Sequence, residues 1–137
     1  MDCILEKEQS NLLLLSSLST LTSSLYCFYR GYALMASIPF AIYVTSVMYW
    51  WHPDYSWRRY LDIGLVNTLV PLHHIIVIRY GYELLVPYCF LCAGGFLSFL
   101  YGLILFNAGH KWPSTIAHAG LHILTNLGIL VVYSGRV

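Results

Sequence analysis

Residues 82–106 read YELLVPYCFLCAGGFLSFLYGLILF and hold one charged side chain, Glu83, at their outer edge. As a helix this stretch rises about 37 Å, enough to cross the hydrocarbon core of a bilayer. Four further apolar stretches fall at 11–29, 32–51, 60–79 and 114–133, separated by short segments rich in Tyr, Trp, Arg, Gly and Pro. Each is long enough to span. The expectation is an all-α integral membrane protein, a bundle of about five transmembrane helices that forms one domain over 1–137.

Composition points the same way. The chain has 58% hydrophobic and 9% charged residues, where an ordinary soluble domain carries about 25% charged. So few charges do not cover a water-exposed surface. The net charge is +1 and the basic residues cluster only at Arg58-Arg59, which leaves no electrostatic footprint for nucleic acid. Cys3, Cys27, Cys89 and Cys92 are scattered, mostly within apolar runs, as small packing residues are. Asp2, Glu6, Lys7 and Glu8 precede the first apolar run, so the positive n-region of a cleavable signal peptide is missing and the first helix is expected to remain.

Let the second helix run from membrane face A to face B. Five crossings then bring Trp50, Trp51, Trp57 and Trp112 to face B and Tyr29, Tyr32, Tyr80, Tyr82 and Tyr133 to face A, the levels at which interfacial aromatics gather. Merging or dropping one helix scatters the tryptophans. Face B, with the N-terminus, carries Lys7, Arg58, Arg59 and Lys111 against Arg30, Arg79 and Arg136 on face A. The positive-inside rule therefore places the N-terminus in the cytoplasm. Pro39, Pro71, Pro87 and the Gly94-Gly95 pair are sites where a spanning helix tolerates a kink. The hydroxyls of Ser16, Ser17, Ser19, Thr20, Ser23 and Ser24 give the first helix a small polar face, suited to close helix contact and open to self-assembly as a homo-oligomer.

Ionisable side chains inside a bilayer mark function by default, and here they converge. His118 and His122 stand at i, i+4 in the last helix, on one face and nearer face B. The second helix ends at face B with Ser46 in the span and His52 just beyond it. The third begins there with Asp62, and Asn67 lies deeper. Three imidazoles, His118, His122 and His52, are a sufficient protein ligand set for zinc with a fourth position open to water. Asp62 would orient or deprotonate that water, and Ser46 would donate to it or to a developing oxyanion. Blander roles exist for each: Asp62 paired with Arg58, Ser46 bonded back to its own helix, His52 solvated in its loop, and the His pair as packing. His73 and His74 fall near face A, away from this group.

The order Ser46-Val47-Met48-Tyr49, then Asp62 in RRYLDIGLVN, then His118-Ala119-Gly120-Leu121-His122 resembles the CREST superfamily, which contains the alkaline ceramidases, the progestin and adiponectin receptors and the haemolysin III proteins. The resemblance implies a zinc ion held by three histidines, with Asp and Ser beside the metal-bound water, and hydrolysis of a membrane lipid amide such as ceramide. Two departures stand out. The position four after Ser46 is Trp50, with His52 two residues further on, so either the helix end unwinds to bring His52 to the metal or the site has two histidines. The family also has about seven helices where this chain has five.

Two readings of function follow from different classes. One is a zinc-dependent intramembrane hydrolase of a lipid amide or ester, with Asp62 and Ser46 catalytic and His118, His122 and His52 as ligands. The other is a non-catalytic multi-pass protein that acts through helix assembly or partner binding. Haem or electron transfer through His73 and His122 would need two imidazoles from different helices at matching depth.

Overall fold

A computed structural model describes residues 3–136. It contains five helices, α1 (Lys7–Tyr29), α2 (Ala33–Trp50), α3 (Trp57–Tyr80), α4 (Leu85–Asn107) and α5 (Lys111–Ser134), and each is long and apolar enough to cross a membrane. The chain is an all-α multi-pass membrane protein. Several ends differ from the apolar stretches by a few residues, because hydropathy marks the part inside hydrocarbon while a helix continues until something caps it. At α1 the Glu6 amide donates to the Gln9 carboxamide at 3.0 Å, so the helix starts in the polar segment before the span. At α4 the start moves inward to Leu85, since the Glu83 amide is held by the Arg136 carbonyl at 3.0 Å. α3 stops at Gly81, whose φ of 65° is the left-handed cap that glycine adopts without strain.

The helices pack in the order α3, α2, α1, α5, α4, so α1 lies at the centre of the series. Contacts at the two ends follow the alternation of five crossings. At face B the Ile4 amide donates to the Pro53 carbonyl at 2.8 Å, and Lys111 Nζ donates to the Ile4 carbonyl at 3.2 Å. At face A, Arg30 Nη1 reaches the Ser134 carbonyl at 3.1 Å. The N-terminal segment, the α2–α3 loop and the start of α5 thus meet at one end, and the C-terminus meets the α1–α2 turn at the other.

α4 and α5 form a close hairpin because glycines remove the side chains between them. A Cβ on Gly95 would lie 2.7 Å from Thr125 Cγ2, and one on Gly102 would lie 3.3 Å from the Ser114 carbonyl. Gly95 therefore serves close approach rather than bending. Hydroxyls fasten the hairpin, with Ser98 Oγ donating to the Ala117 carbonyl at 2.6 Å and Ser114 Oγ to the Gly102 carbonyl at 2.7 Å. Cys92 is buried and Cys89 exposed, and both are free thiols.

α3 is held differently. Its backbone packs mainly against α2, and its side-chain hydrogen bonds to the hairpin residues come from one imidazole. His73 is buried, with Nδ1 3.1 Å from the Tyr88 hydroxyl and Nε2 3.0 Å from the Tyr133 hydroxyl. A neutral imidazole has one donor and one acceptor, so one tyrosine donates to it and the other accepts. This clamp sits among Cys27, Met35, Val77, Tyr82 and Val132, the apolar core of the face A half.

Candidate functional site

In the face B half, α2 and α3 bring together the two residues assigned to catalysis. Ser46 Oγ donates to Asp62 Oδ1 at 2.9 Å, and Thr45 Oγ1 donates to the same oxygen at 2.8 Å. Asp62 is 8% exposed, and the blander roles weighed for this pair do not occur. Arg58 binds Asp54 at 2.9 Å instead, and the Arg59 guanidinium lies over the Tyr55 ring at 5.1 Å. Among the described residues, Asp62 is thus a buried carboxyl group whose hydrogen bonds come from two hydroxyls and from no cation.

The α5 histidines are adjacent, their rings 4.9 Å apart and nearly perpendicular. Ser16 of α1 fixes one of them. Its hydroxyl donates to the Leu13 carbonyl at 3.0 Å and lies 2.8 Å from His122 Nδ1. With the hydroxyl proton directed to Leu13, the network puts the imidazole proton on Nδ1 and the lone pair on Nε2. His118 meets aromatic rings instead, Trp50 at 5.1 Å and Phe99 at 5.8 Å between centroids. Trp50 is one turn beyond Ser46 on the same face of α2, so its indole stands beside the His pair.

His52 goes elsewhere. It lies in the loop after α2 with Nδ1 3.5 Å from Asp54 Oδ2 and its side chain 48% exposed, while Nε2 is 3.4 Å from Cys3 Sγ. The loop is organised around Asp54, which also accepts from the Ser56 amide at 3.1 Å. Hydrogen bonding from Ser56, with Arg58 adding to it, holds the Asp54 carboxyl below its ordinary value, at about 2.

This arrangement does not fit a zinc ion held by three histidines. Two imidazoles are adjacent, but the third place is filled by an indole, whose nitrogen donates and offers no lone pair to a metal. Among the described residues no group of three or more His, Cys, Asp or Glu side chains is placed to hold a metal ion. Among the described residues the Trp50 Nε1–H is itself buried without a hydrogen-bond partner. His73, weighed as a haem ligand, has both ring nitrogens occupied by tyrosine hydroxyls.

The structure adds residues that the sequence reading passed over. Asn126 is 5% exposed and joins α5 to α1, with Nδ2 donating to Thr20 Oγ1 at 2.9 Å and to the His122 carbonyl at 2.7 Å while Oδ1 accepts from Ser23 Oγ at 2.6 Å. Its signal was spacing: His118, His122 and Asn126 recur every four residues as a polar stripe on an apolar helix. Thr45 carried no signal beyond its place next to Ser46. The hydroxyl face of α1 turns inward, with Ser16, Ser17, Thr20, Ser23 and Ser24 all buried against other helices of the same chain. Ser24 Oγ donates across to the Ala36 carbonyl of α2 at 2.8 Å.

No family model, no curated protein and no solved structure matches the chain, so the CREST resemblance rests on its short motifs alone.

Proposed function

We propose that this chain is a non-catalytic multi-pass membrane protein, and that its buried polar cluster holds helices together rather than turning over a substrate. The observation that carries this reading is Trp50. An indole packed edge-on to His118 at 5.1 Å occupies the place where a third imidazole would stand, and His52 lies in the loop beside Asp54. The remaining polar atoms read as a fastening: Ser16 on His122, and Thr45 with Ser46 on Asp62. Metal analysis of the detergent-purified chain tests it. Well below one zinc per chain is expected, and Trp50→His, which restores an imidazole one turn from Ser46, should raise metal uptake. Stoichiometric zinc in the unmutated protein that disappears with His118→Ala and His122→Ala overturns the reading.

Hydrolysis of a lipid amide or ester is the second reading, favoured by the two hydroxyls gathered on one buried carboxyl group, Asp62. Release of fatty acid from ceramide or a fatty ester in vesicles containing the chain, absent with Asp62→Asn, would establish it over the first. The excess of basic residues at the face B end supports a cytoplasmic N-terminus. Cys3 is exposed at that end, and in a Cys89→Ser background an impermeant maleimide added to intact cells should label it only after permeabilisation.

A further inference from the structure

Inside the hydrocarbon every polar group seeks a partner, because neither water nor lipid tails supply one. Among the described residues the buried polar side chains of α1, α2 and α5 find partners within the chain, the Trp50 indole N–H excepted. Asn67 does not. It lies about 10 Å along α3 from Tyr60 at the membrane edge, at 1.5 Å per residue, and it is exposed on the outside of the bundle. No hydrogen bond to its carboxamide occurs among the described residues, whereas its neighbour Thr68 is satisfied by the Gly64 carbonyl at 2.8 Å. One turn before Asn67, a Cβ on Gly64 would meet nothing within 4 Å among the described residues beyond the adjoining backbone of its own helix. The strip beside it is a shallow hollow lined by Tyr60, Leu61, Gly64, Leu65 and Thr68.

The geometry points to a second copy of this chain as the partner of this face, joined through an Asn67–Asn67 carboxamide pair. Two features select the occupant. Copies of a membrane protein share one orientation, so a two-fold interface has its axis along the membrane normal and brings each residue to the depth of its own counterpart. A primary carboxamide carries donors and an acceptor together, so it is complementary to itself, and two copies satisfy both groups by exchanging N–H···O bonds. Lipid tails offer no such atoms, and lipid ester carbonyls lie at the interface rather than at this depth. Gly64 supplies the bare backbone that lets two α3 helices approach closely. The α1 hydroxyl face, the surface suited to self-assembly on sequence, is covered within the chain by α5 and α2. This inference goes beyond the proposed function and holds whether or not the Asp62 cluster performs chemistry.

The test is energy transfer between donor- and acceptor-labelled copies of the full chain in lipid vesicles, followed as protein is diluted into lipid. The unmutated chain should dimerise. Asn67→Leu should move the midpoint to about fivefold higher protein density, and Asn67→Gln, which keeps the amide, should retain most of the transfer. Gly64→Ile should weaken the dimer as well, and because that position is open in the monomer the substitution leaves the fold intact. A monomer at every density, or an Asn67→Leu variant that dimerises like the unmutated chain, overturns the inference.

Discussion

Asn126 on α5 and Asn67 on α3 are the same side chain in the same solvent, yet one is buried in a network of hydrogen bonds and the other is exposed with none among the described residues. The Asn126 carboxamide gathers Thr20, Ser23 and the His122 carbonyl, with bonds of 2.6 to 2.9 Å, and so seals α1 to α5. Asn67 has no hydrogen-bond partner among the described residues and is exposed, α3 packing mainly on α2. A polar side chain of this chain thus bonds to another helix, as Asn126 does, bonds back to its own helix, as Thr68 does, or, as with Asn67, has no partner among the described residues. Apolar residues make no such distinction: Leu13 is 1% exposed and Leu15 is 64% exposed, two positions apart on one helix.

The contrast is open to direct attack. Asn126→Leu should have the largest effect, destabilising the monomer by about 2–3 kcal/mol in a detergent-titrated unfolding measurement, since it removes one carboxamide and leaves the buried Thr20 and Ser23 hydroxyls without it. If the loss is no greater than for Asn67→Leu, the two asparagines are not different in kind. Next is His73→Leu, which releases the Tyr88 and Tyr133 hydroxyls and the clamp of α3 on the hairpin, at about 1–2 kcal/mol in the same assay. Asn67→Leu should change monomer stability by less than about 0.5 kcal/mol, as expected for a surface position away from packing features.

The smallest effect belongs to Asp54, which orders a loop between two helices rather than a contact within the bundle. Its folded-state value of about 2 lies below the ordinary 3.8, so the carboxylate contributes stability above about pH 4 and loses that contribution as pH falls toward 2. Tryptophan emission from Trp51 and Trp57, which flank this loop, should change over that window in the unmutated chain. In Asp54→Asn the window should be flat.

Helix number and polarity were legible in the sequence because backbone polar groups inside a bilayer must be satisfied within each helix, which makes every crossing a long apolar run. The adjacency of His118 and His122 followed from their spacing, and the meeting of Ser46 with Asp62 followed from both lying near one face of the membrane. Apart from the hydroxyl face of α1, what failed to show was which side of a helix turns inward. In water, burial sorts apolar from polar, but lipid and protein interior are both apolar, so the alternation that would reveal a packed face disappears, as Leu13 and Leu15 illustrate. Trp50 reads as an interfacial anchor by composition, and only three-dimensional packing puts it against His118. The direction of His52 depended on a loop whose geometry is set by Asp54, Ser56 and Arg58 together.

The central place of α1 has a consequence for how the molecule is made. Ser23 and Asn126 are 103 residues apart, and at roughly 5–20 residues per second of synthesis the first helix waits about 5–20 s in the membrane before its partner emerges. Its polar groups are of the kind that endure such a delay: Ser16 and Ser17 bond to the Leu13 carbonyl, and Ser23 to that of Thr20, within the helix itself. The Asn126 carboxamide has one such local bond, to the His122 carbonyl, and arrives on α5 when Thr20 and Ser23 are already in place to complete its set. The order of residues along the chain thus bears on biogenesis, since the hydroxyls of α1 can bond within their own helix until α5 is made.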